Sequence, residues 1–408
     1  MRCDIAVIGA GPAGLAAARA ARGRSVVVVD MATRPGGQYF RHQRGRPSPA
    51  LTRLLGDTRV LTEHRVVAIE PGVLHLSGVT RTLRADAILI ATGAHDRPLP
   101  FPGWDLPGVM TAGGAQALYK GSGVVPGRRI VVAGTGPFLL PVAASLAPHV
   151  VGVFDANSPA GFRRHPTIVL THPAKLVEAA GYLATLARHR VPFRTHHAVV
   201  AAHGTDQLTA VTIAGPRGSR RIECDTLAIG YGFVPQTDLV PGVVDDHQMT
   251  TVPGIYAAGE TTGIAGVASA IVTGTIAGRA MAGLPVGRRL TRARARHAAF
   301  AAAMADVWPT PTTWLDNLTD DTLLCRCEEV RYAAVRDAVN ELGARDARAV
   351  KLMTRTGMGW CQARMCGEAV ACVVAHLTGT VADPTALARR TLAQPVTLGE
   401  LATIEEDS

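Results

Sequence analysis

Residues 3–30, CDIAVIGAGPAGLAAARAARGRSVVVVD, constrain the fold more than any other stretch. The apolar run 5–8 predicts a buried strand. Gly9, Gly11 and Gly14 follow in G-x-G-x-x-G spacing, and an Ala-rich helical pattern runs over about 12–22. A second apolar strand, 25–29, ends on Asp30. The three glycines have separate jobs: a tight turn, close approach of backbone to a diphosphate, and close packing of helix on strand. Pro12 suits the first helical position, where an N–H has no intrahelical partner. From Ala13 on, the helix N-terminus offers free N–H groups and partial positive charge to an anion. Asp30 suits a ribose 2′-OH and repels a 2′-phosphate. Glycine spacing alone is a weak signal. Strand, glycines, helix, strand and acid in order specify a dinucleotide-binding βαβ unit.

The rest of the composition narrows the class. A chain of 408 residues, 47% hydrophobic and 18% charged, is globular and long enough for two to three domains. Its net charge is +10, but the arginines are scattered and aromatics make up only 4%. Nucleic-acid binding wants clustered basic residues with stacking aromatics. The charge reads instead as a solvated basic surface or a face for an acidic partner. No apolar run reaches the roughly 20 residues of a membrane span. Residues 264–286 come nearest, are broken by Arg279 and Pro285, and read as a buried helix. The first strand begins almost at Met1, where a cleavable signal would lie. The expected location is cytoplasmic. There, seven cysteines, four of them crowded near the C-terminus, point to metal or redox use rather than disulfides.

After Asp30 the loop Arg34-Pro35-Gly36-Gly37-Gln38 is turn-rich and suited to bring Gly37 and Gln38 beside a flavin. No Cys-x4-Cys pair follows, so a disulfide-reductase mechanism has no nucleophile here. Residues 41–49 read as a basic loop. Runs 66–69 and 73–76 read as strands of a meander, with the Val66 backbone placed for an adenine. The strand 85–93, ADAILIATG, ends in small residues, Thr92 and Gly93 among them, that let the chain cross close to a cofactor. The Pro-rich run 97–108 reads as an extended crossing to a new domain.

A second nucleotide-type unit begins near Arg128. A strand at 129–133 leads to Gly134-Thr135-Gly136, a helical pattern to about Leu146, and a strand at 150–154 that ends on Asp155. Asp30 follows Gly9 by 21 positions, and Asp155 follows Gly134 by the same 21. The third-glycine position, however, holds Leu139, and Pro141 sits in the first turns of the helix. This unit is expected to be Rossmann-like with weakened or altered nucleotide binding. His165, His172, His189, His196, His197 and His203 dot the next segment without a metal-ligand spacing. Residues 222–232 read as one strand that returns the chain to the first domain. In 251–260, TVPGIYAAGE, a strand delivers Gly259 and Glu260 ahead of a small-residue helix. Glu260 can accept a ribityl hydroxyl, and the helix dipole suits negative charge on a reduced flavin. Residues 284–314 read as a linker.

Cys325, Cys327, Cys361 and Cys366 form two close pairs about one helical hairpin. Four thiolates suit a [2Fe–2S] cluster or a zinc ion. Zinc knuckles more often use C-x2–4-C, and C-x-C is tight for them. Cys366 falls in the first turn of a helix, which with Arg326 and Arg364 offsets the charge of an anionic cluster. Cys3, Cys224 and Cys372 read as core thiols.

The stretches VIGAGPAGLAAA, PGGQ, LIATGAHDRPLPFPGWDLPGVMTAGGAQ, AGTGPFLLPVAASL, GIYAAGE, CRCEEV and GMGWCQARMCG together resemble one family. It comprises the flavin-containing A (alpha) subunits of heteromeric amino-acid and opine dehydrogenases. Opine oxidase, hydrogen cyanide synthase and dye-linked proline or hydroxyproline dehydrogenases belong to it. The resemblance implies an α/β fold with two Rossmann-like domains, as in glutathione and thioredoxin reductases, and a small α-helical C-terminal [2Fe–2S] domain. The expected boundaries are 1–109 with 235–287 for FAD, 110–234 for the second domain, 288–322 as linker, 323–380 for a domain similar to bacterioferritin-associated ferredoxin, and 381–408 as tail. It implies FAD in the first domain and the four cysteines as cluster ligands. It also implies substrate oxidation on a partner similar to D-amino-acid oxidase. Further candidate partners are a downstream electron acceptor and another small subunit. NAD(P)H or ATP is a candidate occupant of the second domain. Two departures stand out: Glu260 replaces an Asp, and the segment after Gln38 is short. Two other readings stay open at this point. One is a self-contained NAD(P)H-dependent reductase; the other is a scaffold with structural zinc and FAD as a folding ligand.

Overall fold

The computed structural model describes residues 1–41, 47–387 and 392–405. Most of the basic loop expected over 41–49 lies outside them. The chain divides into two compact units. Residues 1–95, 233–302 and the C-terminal stretch from 392 form the first, and residues 96–232 and 303–387 form the second.

The first unit is built on strand Arg2–Ile8, whose Ile5, Ala6, Val7 and Ile8 are all buried. Burial on both faces is what a central parallel strand requires. It pairs in parallel with Val26–Val29 on one side and Thr82–Ile90 on the other. Strand Arg59–Leu61 extends the sheet beyond Val26–Val29, and Ile255–Ala257 pairs with Thr82–Ile90. The expected meander is present: Arg65–Glu70 runs antiparallel to Val73–Ser77, which pairs with the start of Thr82–Ile90. Register sets Ile8 beside Val29 and Ile90. The residues that follow, Gly9, Asp30 and Ala91, therefore emerge at one edge.

Helices Pro12–Ala20 and Val267–Met281 pack against each other in this unit. A methyl group on Gly274 would lie 2.1 Å from the Ala13 carbonyl oxygen, and one on Gly278 would lie 2.2 Å from that of Ala17. Only hydrogen fits at these crossing points. Gly274→Ala should therefore destabilise the protein by about 1–3 kcal/mol through overpacking. Thermal denaturation of the variant checks this, and an unchanged midpoint would contradict the close crossing. The C-terminal stretch belongs to the same unit. Ser77 Oγ donates to the Glu400 carboxylate (2.5 Å), and the Ala393 N–H donates to the Val67 carbonyl (2.8 Å).

The second unit contains an all-parallel sheet in the order Phe193–Thr195, Val150–Asp155, Ile130–Gly134, Thr226–Gly230, Val109–Thr111. An antiparallel sheet of Ala198–Gly204, Leu208–Gly215 and Gly218–Glu223 adjoins it in sequence. The run 222–232 is thus two strands rather than one. The break falls at Cys224-Asp225, where the Asp225 carboxylate accepts the N–H groups of Arg128 and Arg129. Leu139 is buried beside Gly230, where a methyl group would lie 3.4 Å from the Leu139 side chain.

Three C-terminal helices, Tyr332–Asn340, Ala347–Thr354 and Gly367–Thr378, complete this unit. They share one apolar core with the second nucleotide fold: Phe101, Trp104, Phe154 and Val211 cluster with Val335, Val350, Val370 and Val373. Residues 288–322, read as a linker, contain the 20-residue helix Arg288–Val307. It has no Gly or Pro and is rich in Ala and Arg, both strong helix formers. Only Ala303 and Val307 are buried along it, so it carries no apolar stripe to betray it.

Candidate functional site

The first site is a cradle at the edge where Gly9, Asp30 and Ala91 emerge. Gly9 has φ +105°, and a methyl group there would lie 2.4 Å from the Ala91 carbonyl oxygen. A methyl on Gly14 would lie 1.9 Å from the Gly9 oxygen, so helix Pro12–Ala20 rests directly on the turn. Gly11 is different: a methyl there meets nothing within 4 Å. Open space at Gly11 lies at the N-terminus of a nine-residue helix begun by Pro12 and Ala13. That is where a diphosphate finds free N–H groups.

The other predicted residues converge on this turn. The Gly36 N–H donates to the Ala10 carbonyl (2.8 Å), and a methyl on Gly37 would lie 2.9 Å from Gly11 Cα. Gln38 follows and is exposed. Asp30 accepts the N–H groups of Ala10 (2.6 Å) and Ala32 (2.8 Å). The His64 N–H donates to the Asp30 carbonyl (3.1 Å), which brings the start of Val66's strand beside the acid. The Val66 side chain itself is buried in the core. Thr92 Oγ1 donates to the Gln236 carbonyl (2.9 Å), and Gly93, at φ +76°, faces open space. A methyl on Gly259 would lie 2.7 Å from Ala13 Cβ, so the strand-to-helix turn carrying Glu260 also reaches the helix N-terminus. Burial pushes the Glu260 carboxyl up, and the Gly266 N–H partly offsets this. Gln236 and Thr261, which fix Thr92, had no local sequence signal. Open volume, a helix N-terminus and a positioned acid fit a dinucleotide.

The second site is the thiol quartet. Cys325 ends strand Leu323–Cys325, Cys327 lies in the turn to Val330–Arg331, and Cys366 caps helix Gly367–Thr378. Cys325 and Cys366 are buried, Cys361 is partly buried and Cys327 is exposed. All four thiols interact with one another, most strongly Cys325 with Cys366 and Cys327 with Cys361. The Cys366 thiol and the N–H groups of Gly357, Glu328 and Cys327 pull Cys325 down to about 5. The shared proton and burial push Cys366 up. Gln362 (φ 52°) and Ala363 (φ 63°) are consecutive left-handed residues between Cys361 and Cys366. They form a tight turn held by its own backbone, the Gln362 N–H donating to the Gly359 carbonyl (2.8 Å) and the Arg364 N–H to the Cys361 carbonyl (3.2 Å). Among the described residues, no three His, Cys, Asp or Glu side chains surround a point as one ion's ligands would. Four neighbouring thiols, with N–H groups directed at the Cys325 sulfur, fit a two-iron cluster.

The Pro-rich run 97–108, read as a crossing, also anchors the quartet. Trp104 Nε1–H donates to the Leu323 carbonyl (2.6 Å), and the Arg326 guanidinium stacks 5.0 Å from the Trp104 ring centre. Arg97 pairs with Glu368 (2.9 Å) in the first turn of the helix that Cys366 caps. Arg364 donates to the Cys361 carbonyl (3.1 Å).

Residues 3–283 match the family described as pyridine nucleotide-disulphide oxidoreductase, and residues 323–376 match the BFD-like [2Fe-2S] binding domain. Fold and sites thus define a flavin-dependent oxidoreductase with an FAD/NAD-binding fold and a [2Fe–2S] domain. The HcnB component of hydrogen cyanide synthase from Pseudomonas aeruginosa is 32% identical, over 88% of this chain and 90% of its own. The A-type component of opine oxidase from Agrobacterium tumefaciens is 32% identical, over 98% of this chain and 91% of its own. The crystal structure of L-proline dehydrogenase from P. horikoshii superposes with a TM-score of 0.69 at 20% identity, covering 98% of this chain and 79% of that one. The chain belongs to the family of the opine oxidase A and hydrogen cyanide synthase HcnB subunits. No helix among the described residues is long and apolar enough to cross a membrane.

Proposed function

We propose that this chain is the electron-relay subunit of a heteromeric amino-acid, opine or amine dehydrogenase. The observation that carries the reading is the pairing, on one chain, of a dinucleotide cradle with a cluster-type thiol quartet. Both of these relatives are, by name, subunits of larger enzymes. When bound, a flavin supplies two-electron oxidation and a [2Fe–2S] cluster supplies one-electron transfer. On this reading Gly9, Gly11, Pro12, Ala13, Gly14 and Asp30 hold the ADP half of FAD, and the Val66 backbone meets its adenine. Gly37, Gln38, Thr92, Gly93, Gly259 and Glu260 line the flavin side. Cys325, Cys327, Cys361 and Cys366 ligate the cluster. The substrate is oxidised on a partner flavoprotein similar to D-amino-acid oxidase, and the free thiols suit the cytoplasm.

Anaerobic spectroscopy tests the proposal. Amino acids or NADH added to the chain alone should leave the flavin absorbance unchanged. Adding the co-purified partner with its substrate should bleach the flavin and raise the reduced-cluster EPR signal. Rapid bleaching by NADH alone, or zinc in place of iron on metal analysis, would overturn it.

A further inference from the structure

The second nucleotide fold repeats the layout of the first, but its acid has a different neighbourhood. Asp30 is partly exposed. Asp155 is 2% exposed, and burial pushes its carboxyl up. It accepts the N–H groups of Asn157 (2.9 Å) and Gly136 (3.4 Å), as a motif acid does for its own turn. It also accepts the indole Nε1–H of Trp308 (2.9 Å), from a segment more than 150 positions away.

Trp308 belongs to a strap, residues 306–310, that is tied down along its length. The Asp306 carboxylate accepts from Arg164 (2.9 Å) and pairs with His165 (2.8 Å). Val307 is buried and packs against Gly161. The Trp308 ring meets Phe162 edge to face at 5.4 Å. Asn157 Nδ2 donates both to the Pro309 carbonyl (2.9 Å) and to Thr135 Oγ1 (2.6 Å), which joins the strap to the glycine turn. Thr310 Oγ1 accepts from Arg97 (2.9 Å).

In a dinucleotide-binding βαβ unit the acid at this position reads a ribose hydroxyl. Here an indole N–H from the same chain stands in for that donor. The first two turn glycines keep their roles, a methyl on Gly134 lying 1.8 Å from the Gly230 carbonyl oxygen and one on Gly136 meeting nothing within 4 Å, but the helix that follows is weaker. The helix after the turn, Leu139–Ser145, has seven residues, with Leu139 in the third-glycine position and Pro141, which has no N–H, in its first turn. It offers a diphosphate less than the nine-residue helix of the first fold.

We propose that residues 306–310 occupy the adenosine-ribose end of the second dinucleotide fold, so that the chain's own strap closes this fold to NADH. Electrons then do not enter through a nicotinamide bound there. The inference concerns binding alone and stands apart from the relay reading, which could fail while the fold remained closed.

Titrating the FAD- and cluster-loaded protein with NADH, followed calorimetrically, tests it. The wild-type protein should show no saturable binding into the millimolar range. Trp308→Ala should bind NADH saturably, at least about tenfold tighter than any wild-type limit. Adding Asp155→Ala to Trp308→Ala should abolish the gain, because the uncovered acid is the group that reads the ribose. Should Trp308→Ala fail to fold, Asp306→Ala with Asn157→Ala loosens the strap and leaves the indole in the chain; it should gain the same binding. Saturable NADH binding by the wild-type protein that Trp308→Ala leaves unchanged would overturn the proposal. Failure of every folded strap variant to gain binding would do so as well.

Discussion

Cys327→Ala is expected to empty the cluster site of iron and acid-labile sulfide while FAD stays bound. The two consequences separate because the quartet lies in one compact unit and the glycine cradle in the other. Cys327 is the clean position to test, since its thiol is exposed and its removal opens no cavity in the core. Cys325→Ala and Cys366→Ala should lose iron too, but they remove buried side chains from the shared apolar core and so should also lower stability. Loss of a group that merely supports a ligand lowers metal affinity by about 10–100-fold, and loss of the ligand itself should cost at least that. Iron and sulfide per chain, the EPR signal of the reduced protein and the FAD absorbance are the measurements. Wild-type iron content in a folded Cys327→Ala protein would remove this residue from the ligand set. Zinc at one equivalent would replace the cluster with a structural ion.

The fold that frames both candidate sites was largely legible in the sequence because its signals are local. Gly9, Gly11, Gly14 and Asp30 sit within one βαβ unit, and its strands and helix formed within a few residues of expectation. The quartet was readable because cysteines paired at short spacing point to metal or redox chemistry. What the sequence hid depends on contacts between distant residues. Trp104 is an ordinary aromatic in a Pro-rich run until the fold sets it against Leu323. Arg97 and Glu368 are 271 positions apart and carry no spacing signature. Helix Arg288–Val307 was hidden for another reason. Periodicity detects helices that bury a stripe, and this one is supported chiefly by Ala and Arg propensity. The second fold shows both effects. Leu139 signalled a damaged motif, whereas the Trp308 contact to Asp155 became visible only in three dimensions.

Gly11→Val and Gly14→Val should fail in different ways, although both break the same motif. At Gly14 a side chain would strike the Gly9 carbonyl at 1.9 Å and the Val7 side chain at 3.0 Å. The obstacle is backbone and core, so the helix must lift off the strand. A loss of about 4 kcal/mol or more follows from overpacking of this severity. Gly14→Val should therefore yield little soluble protein, or protein with a sharply lowered unfolding midpoint. At Gly11 the backbone is at φ −77°, which any residue adopts, and a Cβ would meet no atom beyond its chain neighbours within 4 Å. Gly11→Val should fold with near-wild-type stability as an apoprotein, and its cluster should load normally. The isopropyl group would instead fill the space that a diphosphate needs at the helix N-terminus. FAD affinity should fall by about 100-fold or more, equivalent to about 2.8 kcal/mol. Reconstitution of each apoprotein with FAD, followed by flavin fluorescence quenching, distinguishes the two. If Gly11→Val bound FAD like the wild-type protein, the diphosphate would not lie at this helix and the cradle would be assigned wrongly. If Gly14→Val folded normally without FAD, the close contact of helix on turn would be wrong instead.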